Sequence, residues 1–293
     1  MAIIILARLS RCITSYLVAI AAADFLVIIT AVILNRIGRI FFSYSVLSTT
    51  HGCTITAVLV YVSRDGSVWL TVAFTIDRFV AICCQNLKTR YCNEKTAALV
   101  IGMVSSLSCI KNIPILFMYK PLYSLDGVSW FCDIRSVFYT SLVWKSYDWL
   151  DRILTPFLPF LLILLLNTLT IRYILAVSAT RKRLRGTESG SDSEIANRKR
   201  SIILLFAISL SFLLLWVTYV IHFIYIKVRA EGYFNTLDFT DPQYILQETK
   251  KILQLLSSCN NVFIYAVSQT KFRKELKYLM LFPFTTVIGR FKW

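Results

Sequence analysis

Asp24, Arg64, Asp65, Asp77 and Arg78 stand inside stretches that are otherwise apolar, where an ion is costly unless it is paired or faces water. Each is therefore a candidate for chemistry. Asp24, with Ser67, Ser257 and Asn261, offers oxygen ligands to a small hard cation such as sodium. The other reading of Asp24 is a protonated carboxyl that donates a hydrogen bond between helices. Arg64 carries a planar fork suited to gripping a carboxylate bidentately. Neighbours on a helix diverge by about 100°, so Arg64 and Asp65 are not expected to share a face. One reading sends Arg64 into a cavity above Trp216 to bind a ligand carboxylate, with Tyr219, His222, Glu248 and Lys251 lining the same space. The other makes Arg64 and Asp65 members of a structural charge network among helices. Asp77 can hold the Arg78 guanidinium by a charge-assisted hydrogen bond; alternatively Arg78 only snorkels to a membrane interface.

The elements that position these residues are transmembrane helices. Hydrophobic residues make up 57% of the 293 and charged residues 16%, well under the quarter usual in soluble domains. The apolar residues come in long runs: Ile202 to Ile226 holds one His and no Asp, Glu, Lys or Arg, and Leu154 to Ile171 holds none of the five. Runs near the ~20 residues that cross a hydrocarbon core read as helices. Whole spans are expected at 13–34, 54–84, 96–118, 153–177, 201–226 and 244–267. The apolar start, 1–6, is too short to span and reads as the remnant of a first helix largely missing, so the chain reads as amino-terminally truncated. After the last span, 271–281 alternates basic and apolar residues as an amphipathic surface helix would, and 282–293 reads as a cytoplasmic tail. The inner loop TRKRLRGTESGSDSEIANRKR reads as a mobile segment with helical extensions at each end.

The net charge of +16 could suggest nucleic acid, but its placement does not. Most of the 32 basic residues fall in alternate, inner segments, while the outer loops are nearly neutral, as the positive-inside rule requires of a multi-span chain. In that orientation Cys53 begins the span 54–84 on the outside and Cys132 lies in the long outer loop 119–151. Both face an oxidising compartment, where a disulfide would pin the loop to the helix end; two free thiols are the alternative. Asp77 follows Cys53 by 24 residues, roughly 36 Å of helix, which sets Asp77-Arg78-Phe79 at the cytoplasmic mouth.

In this order the chain resembles rhodopsin-like (class A) G-protein-coupled receptors: LVAIAAAD ending at Asp24, then Cys53, DRF (Asp77 to Phe79), Cys132, Pro159, FLLLW (Phe212 to Trp216), NVFIY (Asn261 to Tyr265) and KFRKEL. YVSRDGSVWLTVAFTIDRF and TKFRKEL further resemble a set of orphan receptors whose relatives respond to aromatic amino acids. The resemblance implies an all-α membrane protein, a seven-transmembrane helix bundle. It implies that Arg78 forms an ionic lock and contacts a G protein, and that Asp24 is the sodium-site acid. Trp216 would be a switch under the ligand with Phe212 beneath it, Tyr265 would swing inward, and Pro159 would kink its helix. Several positions depart from the family pattern. Phe79 replaces tyrosine, Thr218 stands where a proline is expected two residues after Trp216, Val262 replaces the proline of the last motif, and Asn167 stands where a tyrosine is common.

The function implied is transmission of an extracellular small-molecule or peptide signal to a heterotrimeric G protein at the plasma membrane. No enzymatic activity is expected and no cofactor beyond a possible structural sodium ion. Two histidines, no glycine-rich phosphate loop and no metal-spaced cluster agree with that. The partners expected are the G protein, an extracellular ligand and membrane lipid, not nucleic acid. Two alternatives are a receptor fragment that does not signal and a transporter using Asp24, Arg64, Asp65 and Lys111 as a path. A transporter of this size usually shows duplicated halves, and none is visible.

Overall fold

A backbone in hydrocarbon must satisfy its own N–H and C=O groups, and each apolar run does so as a helix. The computed structural model describes residues 11–42, 44–84, 86–87, 91–184, 192–229 and 242–268. Helix α1 (Arg11–Val27) continues through a π-helical stretch, Ile28–Ile37. Helix α2 spans Thr50–Cys83; α3 spans Glu94–Asn112 and ends in a 3-10 turn, Ile113–Phe117. A segment Leu142–Arg152 and a π-helical stretch Ile153–Phe157 lead into α4 (Leu158–Leu184). Helices α5 (Asp192–Arg229) and α6 (Pro242–Ser268) complete the bundle. Thr49 caps α2 by accepting from the Gly52 amide, and Asn93 caps α3 by accepting from Thr96, so both starts are set by local sequence.

Five helical segments are long and apolar enough to cross a membrane, and α6, with Glu248, Lys250 and Lys251 in one half, is the sixth long helix among the described residues. Each of the six expected runs falls on a helix, most of them longer than the apolar run that signalled them. The expected stub 1–6, surface helix 271–281 and tail 282–293 lie outside the described residues, as does 185–191 of the inner loop; its flanks are helical to Leu184 and from Asp192.

Helix α2 is the axis of the bundle and packs against α1, α3, α4 and α5, while α6 packs on α5 and α1. Its most apolar window is 61% buried, against 17% for α3. Tyr16, Leu17, Ile20, Leu70, Phe74, Leu204 and Ile208 pack at one level and Val68, Val72, Ile163, Phe212, Trp216 and Tyr219 at another. Lipid is as apolar as leucine, so van der Waals fit and interhelical hydrogen bonds hold such helices together. One such bond joins the hydroxyls of Thr30 and Ser63 at 3.2 Å. Leu99, Met103 and Leu107 of α3 and Leu161, Leu164 and Leu165 of α4 are exposed, the face a bilayer would cover.

Two features differ from the sequence reading. The expected outer loop 119–151 is largely structured. Tyr123–Leu125 pairs with Val128–Trp130 across Asp126-Gly127, both at positive φ (52° and 75°), and Tyr119–Lys120 pairs with Asp133–Ile134. Asp-Gly is the dipeptide that such a tight hairpin turn demands, so the sequence itself carries the signal for this hairpin. The loop's final part, Leu142–Arg152, is helical. The second difference concerns Pro159. The backbone breaks one turn earlier, at Thr155 (φ −148°, ψ 95°) within Ile153–Phe157. Thr155 precedes Pro156, which disfavours the helical region, and it sits four residues before Pro159, whose ring clashes with the carbonyl at that spacing. By contrast α5 runs unbroken past Trp216, as Thr218 in place of proline predicts.

Candidate functional site

Arg64 and Asp65 share one network after all, because the arginine stem is long enough to fold back on its neighbour. Arg64 Nε and Nη2 donate to Asp65 Oδ1 at 3.2 and 3.1 Å, and Nη2 reaches Asp151 at 3.4 Å. Lys111 Nζ bridges the same two acids, 2.6 Å from Asp65 Oδ2 and 2.7 Å from Asp151 Oδ1, and donates to Thr155 Oγ1 at 3.1 Å. Asn112 Nδ2 adds a bond to Asp65 Oδ2 at 2.8 Å. Two cations face two carboxylates, so the set is neutral and ties α2, α3 and the segment before α4 together. Thr155 takes part only because the proline break turns it there. Asp151, read as the edge of an outer loop, is a buried member of this network.

A cavity of about 290 Å³ opens between α1, α2, α5 and α6. Trp216 and Phe212 form its apolar floor, their rings stacked at 5.2 Å, and Arg64 and Lys251 lie on its wall. Among the residues expected to line it, Tyr219, His222 and Glu248 do not. Tyr219 packs behind Trp216 at 5.9 Å, and His222 Nδ1 lies 2.9 Å from Lys250 Nζ in a buried pair between α5 and α6. Glu248 sits just outside, accepting from Arg36 at 3.0 Å and Lys251 at 2.6 Å. The widened π-helical stretch of α1 brings Ala31, Asn35 and Arg36 to the wall, residues that the sequence reading did not single out.

The cavity extends down to Asp24, since Ser67, Ser258 and Asn261 line it as well. Asp24 is 4% exposed; its Oδ1 accepts from Ser67 Oγ at 2.5 Å and its Oδ2 from Asn261 Nδ2 at 2.7 Å. A second hydroxyl at the carboxylate is that of Ser258. Ser257, expected there, instead accepts from Trp216 Nε1 at 3.3 Å. Adjacent serines on α6 face different ways, and the helix turn assigns one to the acid and the other to the indole.

At the other end of α2, Asp77 and Arg78 are both buried, at 1% and 5% exposure, which is not the snorkelling geometry. Arg78 Nε donates to Asp77 Oδ2 at 3.0 Å, and Nη2 bonds the same oxygen. Phe74 lies under the guanidinium, with its ring centroid 5.8 Å away, and Phe79 is half-buried. Tyr265 belongs to α6, but its side chain lies outside the described residues. On the outside Cys53 and Cys132 are disulfide-bonded with their Cα atoms 6.1 Å apart. Thr50 Oγ1 donates to the Phe131 carbonyl at 2.8 Å and the Phe131 amide to Ser48 O at 2.7 Å, so the hairpin is seated on the start of α2.

The chain is similar in sequence to known proteins. The family described as 7 transmembrane receptor (rhodopsin family) matches residues 1–265. The chain is 25% identical over 242 residues to melatonin receptor type 1B of Mus musculus, covering 80% of this chain and 60% of that one. It is 24% identical over 225 residues to galanin receptor 2a of Danio rerio, covering 77% and 57%. A shorter stretch of 67 residues is 31% identical to neuropeptide receptor 18 of Caenorhabditis elegans, covering 23% of this chain and 14% of that one. The chain thus spans about 60% of the length of the first two relatives. A family match over nearly the whole length, on a helical bundle with the disulfide and the buried Asp77-Arg78 pair in place, establishes that this chain belongs to the rhodopsin family of seven-transmembrane receptors.

Proposed function

We propose that this chain is a plasma-membrane receptor that takes a small molecule from outside into the cavity above Trp216 and signals to a heterotrimeric G protein. The observation that carries the proposal is that α2 alone bears Tyr61, Arg64 and Val68 on the cavity wall, Ser67 at Asp24, and the Asp77-Arg78 pair near its inner end. One rigid helix thereby joins a ligand-sized space to the restrained arginine. A ligand that favours one packing of α5 and α6 over another shifts the population of the inner end. The segments YVSRDGSVWLTVAFTIDRF and TKFRKEL support a place among the orphan receptors whose relatives respond to aromatic amino acids, and the aromatic floor of Phe212 and Trp216 suits a ring-bearing ligand. A peptide is the second reading, favoured by the names of the galanin and neuropeptide relatives. As a rhodopsin-family receptor the chain is a signalling protein and not an enzyme.

Nucleotide exchange on purified heterotrimers, catalysed by membranes holding the chain, tests the coupling. Asp77→Asn is expected to raise ligand-independent exchange about tenfold, since ~1.4 kcal/mol removed from the resting side is a factor of ten in population. Arg78→Ala is expected to abolish exchange. Exchange no higher than receptor-free membranes in the original chain and the Asp77 variant, at normal surface expression, would show a receptor fragment that does not signal.

We further propose a sodium ion at Asp24. The donor set of one carboxylate, the Ser67 and Ser258 hydroxyls and the Asn261 amide has the hard-oxygen chemistry that a small cation takes. The ion would hold α1, α2 and α6 together. Thermal unfolding in sodium chloride should then exceed that in choline chloride by several degrees, and Asp24→Asn should erase the difference. Equal midpoints in the two salts would refute the site.

A further inference from the structure

The positive charge on the cavity wall is unevenly neutralised. Arg36, Arg64 and Lys251 line it, and among the described residues the carboxylates that pair with them are Asp65 and Asp151 at Arg64 and Glu248 at the mouth. Arg64 is committed: with Lys111 it faces Asp65 and Asp151, two cations to two acids. The mouth is different. Arg36 and Lys251 converge from α1 and α6 on opposite oxygens of one carboxylate, Glu248, at 3.0 and 2.6 Å, which among the described residues leaves one positive charge over. Asp133 lines the adjoining outer pocket with Lys251 but pairs with Lys120 at 3.4 Å. Both cationic side chains keep freedom to turn, at 41% and 43% exposure.

A second observation points to the same place. Gln254 lies three residues beyond Lys251, on the same face of α6 and one turn deeper. It lines the cavity, and its Nε2 is buried with no hydrogen-bond partner. A buried amide donor left open is unusual, and its side chain belongs to the wall of a space that a ligand would fill. Below it lie Trp216 and Phe212.

We infer that the cavity mouth, built from Lys251, Arg36 and Gln254, is a binding site for the carboxylate of a small aromatic acid, and that Glu248 is a competitor the ligand must displace. The inference rests on the reading of this cavity as the ligand site, and it moves the anion contact from Arg64 to the mouth. Lys251 and Arg36 turn from Glu248 to the incoming carboxylate, Gln254 donates a third hydrogen bond, and the ring settles on the Trp216 indole. A neutral or cationic head on the same ring gains nothing from the two cations. Recognition therefore depends on charge as well as shape.

The test uses the full chain in lipid nanodiscs and a matched series of phenylpropanoate, its amide and its amine, with the indole analogues as a second series. Ligand-observed NMR and the thermal midpoint report binding. The acid is expected to bind about tenfold more tightly than the amide in at least one series. Lys251→Ala should lower acid affinity about tenfold and leave the amide unchanged, and Lys251→Arg should restore it. Glu248→Gln, nearly isosteric, should raise acid affinity several-fold, a gain that damage to the fold cannot mimic. Preference for amide or amine, no binding by any compound in either series, or loss of acid affinity in Glu248→Gln overturns the anion site. Nucleotide exchange in the Asp77 and Arg78 variants, measured separately, decides the receptor reading.

Discussion

Replacing Asp65 by alanine is expected to destabilise the chain by about 3–5 kcal/mol and to remove most of it from the cell surface. Asp65 is 1% exposed and receives Arg64, Lys111 and Asn112, so its loss leaves two buried cations with Asp151 alone. An uncompensated buried charge is penalised far more than an intact pair is rewarded, which is why the single change is severe. A double variant, Asp65→Ala with Lys111→Ala, keeps Arg64 opposite Asp151 and restores neutrality. It should unfold at a higher temperature than the Asp65 variant alone, with a coupling of about 1 kcal/mol or more. Thermal unfolding in detergent measures both. If Asp65→Ala shifts the midpoint by no more than a surface substitution would, the network does not hold these helices together.

The disulfide is expected to have the next largest effect. Cys53 and Cys132 are 79 residues apart in sequence, and a bond that closes a loop of that length typically contributes about 2–5 kcal/mol. Cys132→Ser should lower the unfolding midpoint accordingly. It should also make unfolding insensitive to reductant, whereas the original chain in reductant should fall to the level of the variant. The effect should reach the mouth of the cavity, because Asp133 and Ile134, which directly follow Cys132, line the pocket where Lys251 also lies. A Cys132→Ser chain that still responds to reductant would mean that another pair of thiols is bonded.

Membrane class, the places of the long helices and the outer disulfide were all legible because each rests on one-dimensional information: run length, loop charge and the compartment a cysteine faces. Thr218 foretold the unbroken α5 for the same reason, since a missing proline is a local fact. The break at Thr155 was displaced from the expected site because a proline acts on the carbonyl four residues before it and on the residue it follows, and two prolines converge on one threonine. The Asp126-Gly127 turn is likewise local, a dipeptide whose two positive φ angles need no distant partner.

Pairing was not legible in that way. That Asp24, Arg64 and Asp65 must be compensated followed from the sequence alone, because bare charge in hydrocarbon is prohibitive. Which groups compensate them did not. Lys111 meets Asp65 across 46 positions of chain and Asp151 meets Arg64 across 87, and Ser258 rather than Ser257 reaches Asp24 by a difference of one helical step. Glu248 lies beside the cavity rather than in it for a similar reason, the rotation of α6 against α1. Such choices depend on how helices turn and cross, quantities that packing between distant segments sets and that no local run of residues encodes.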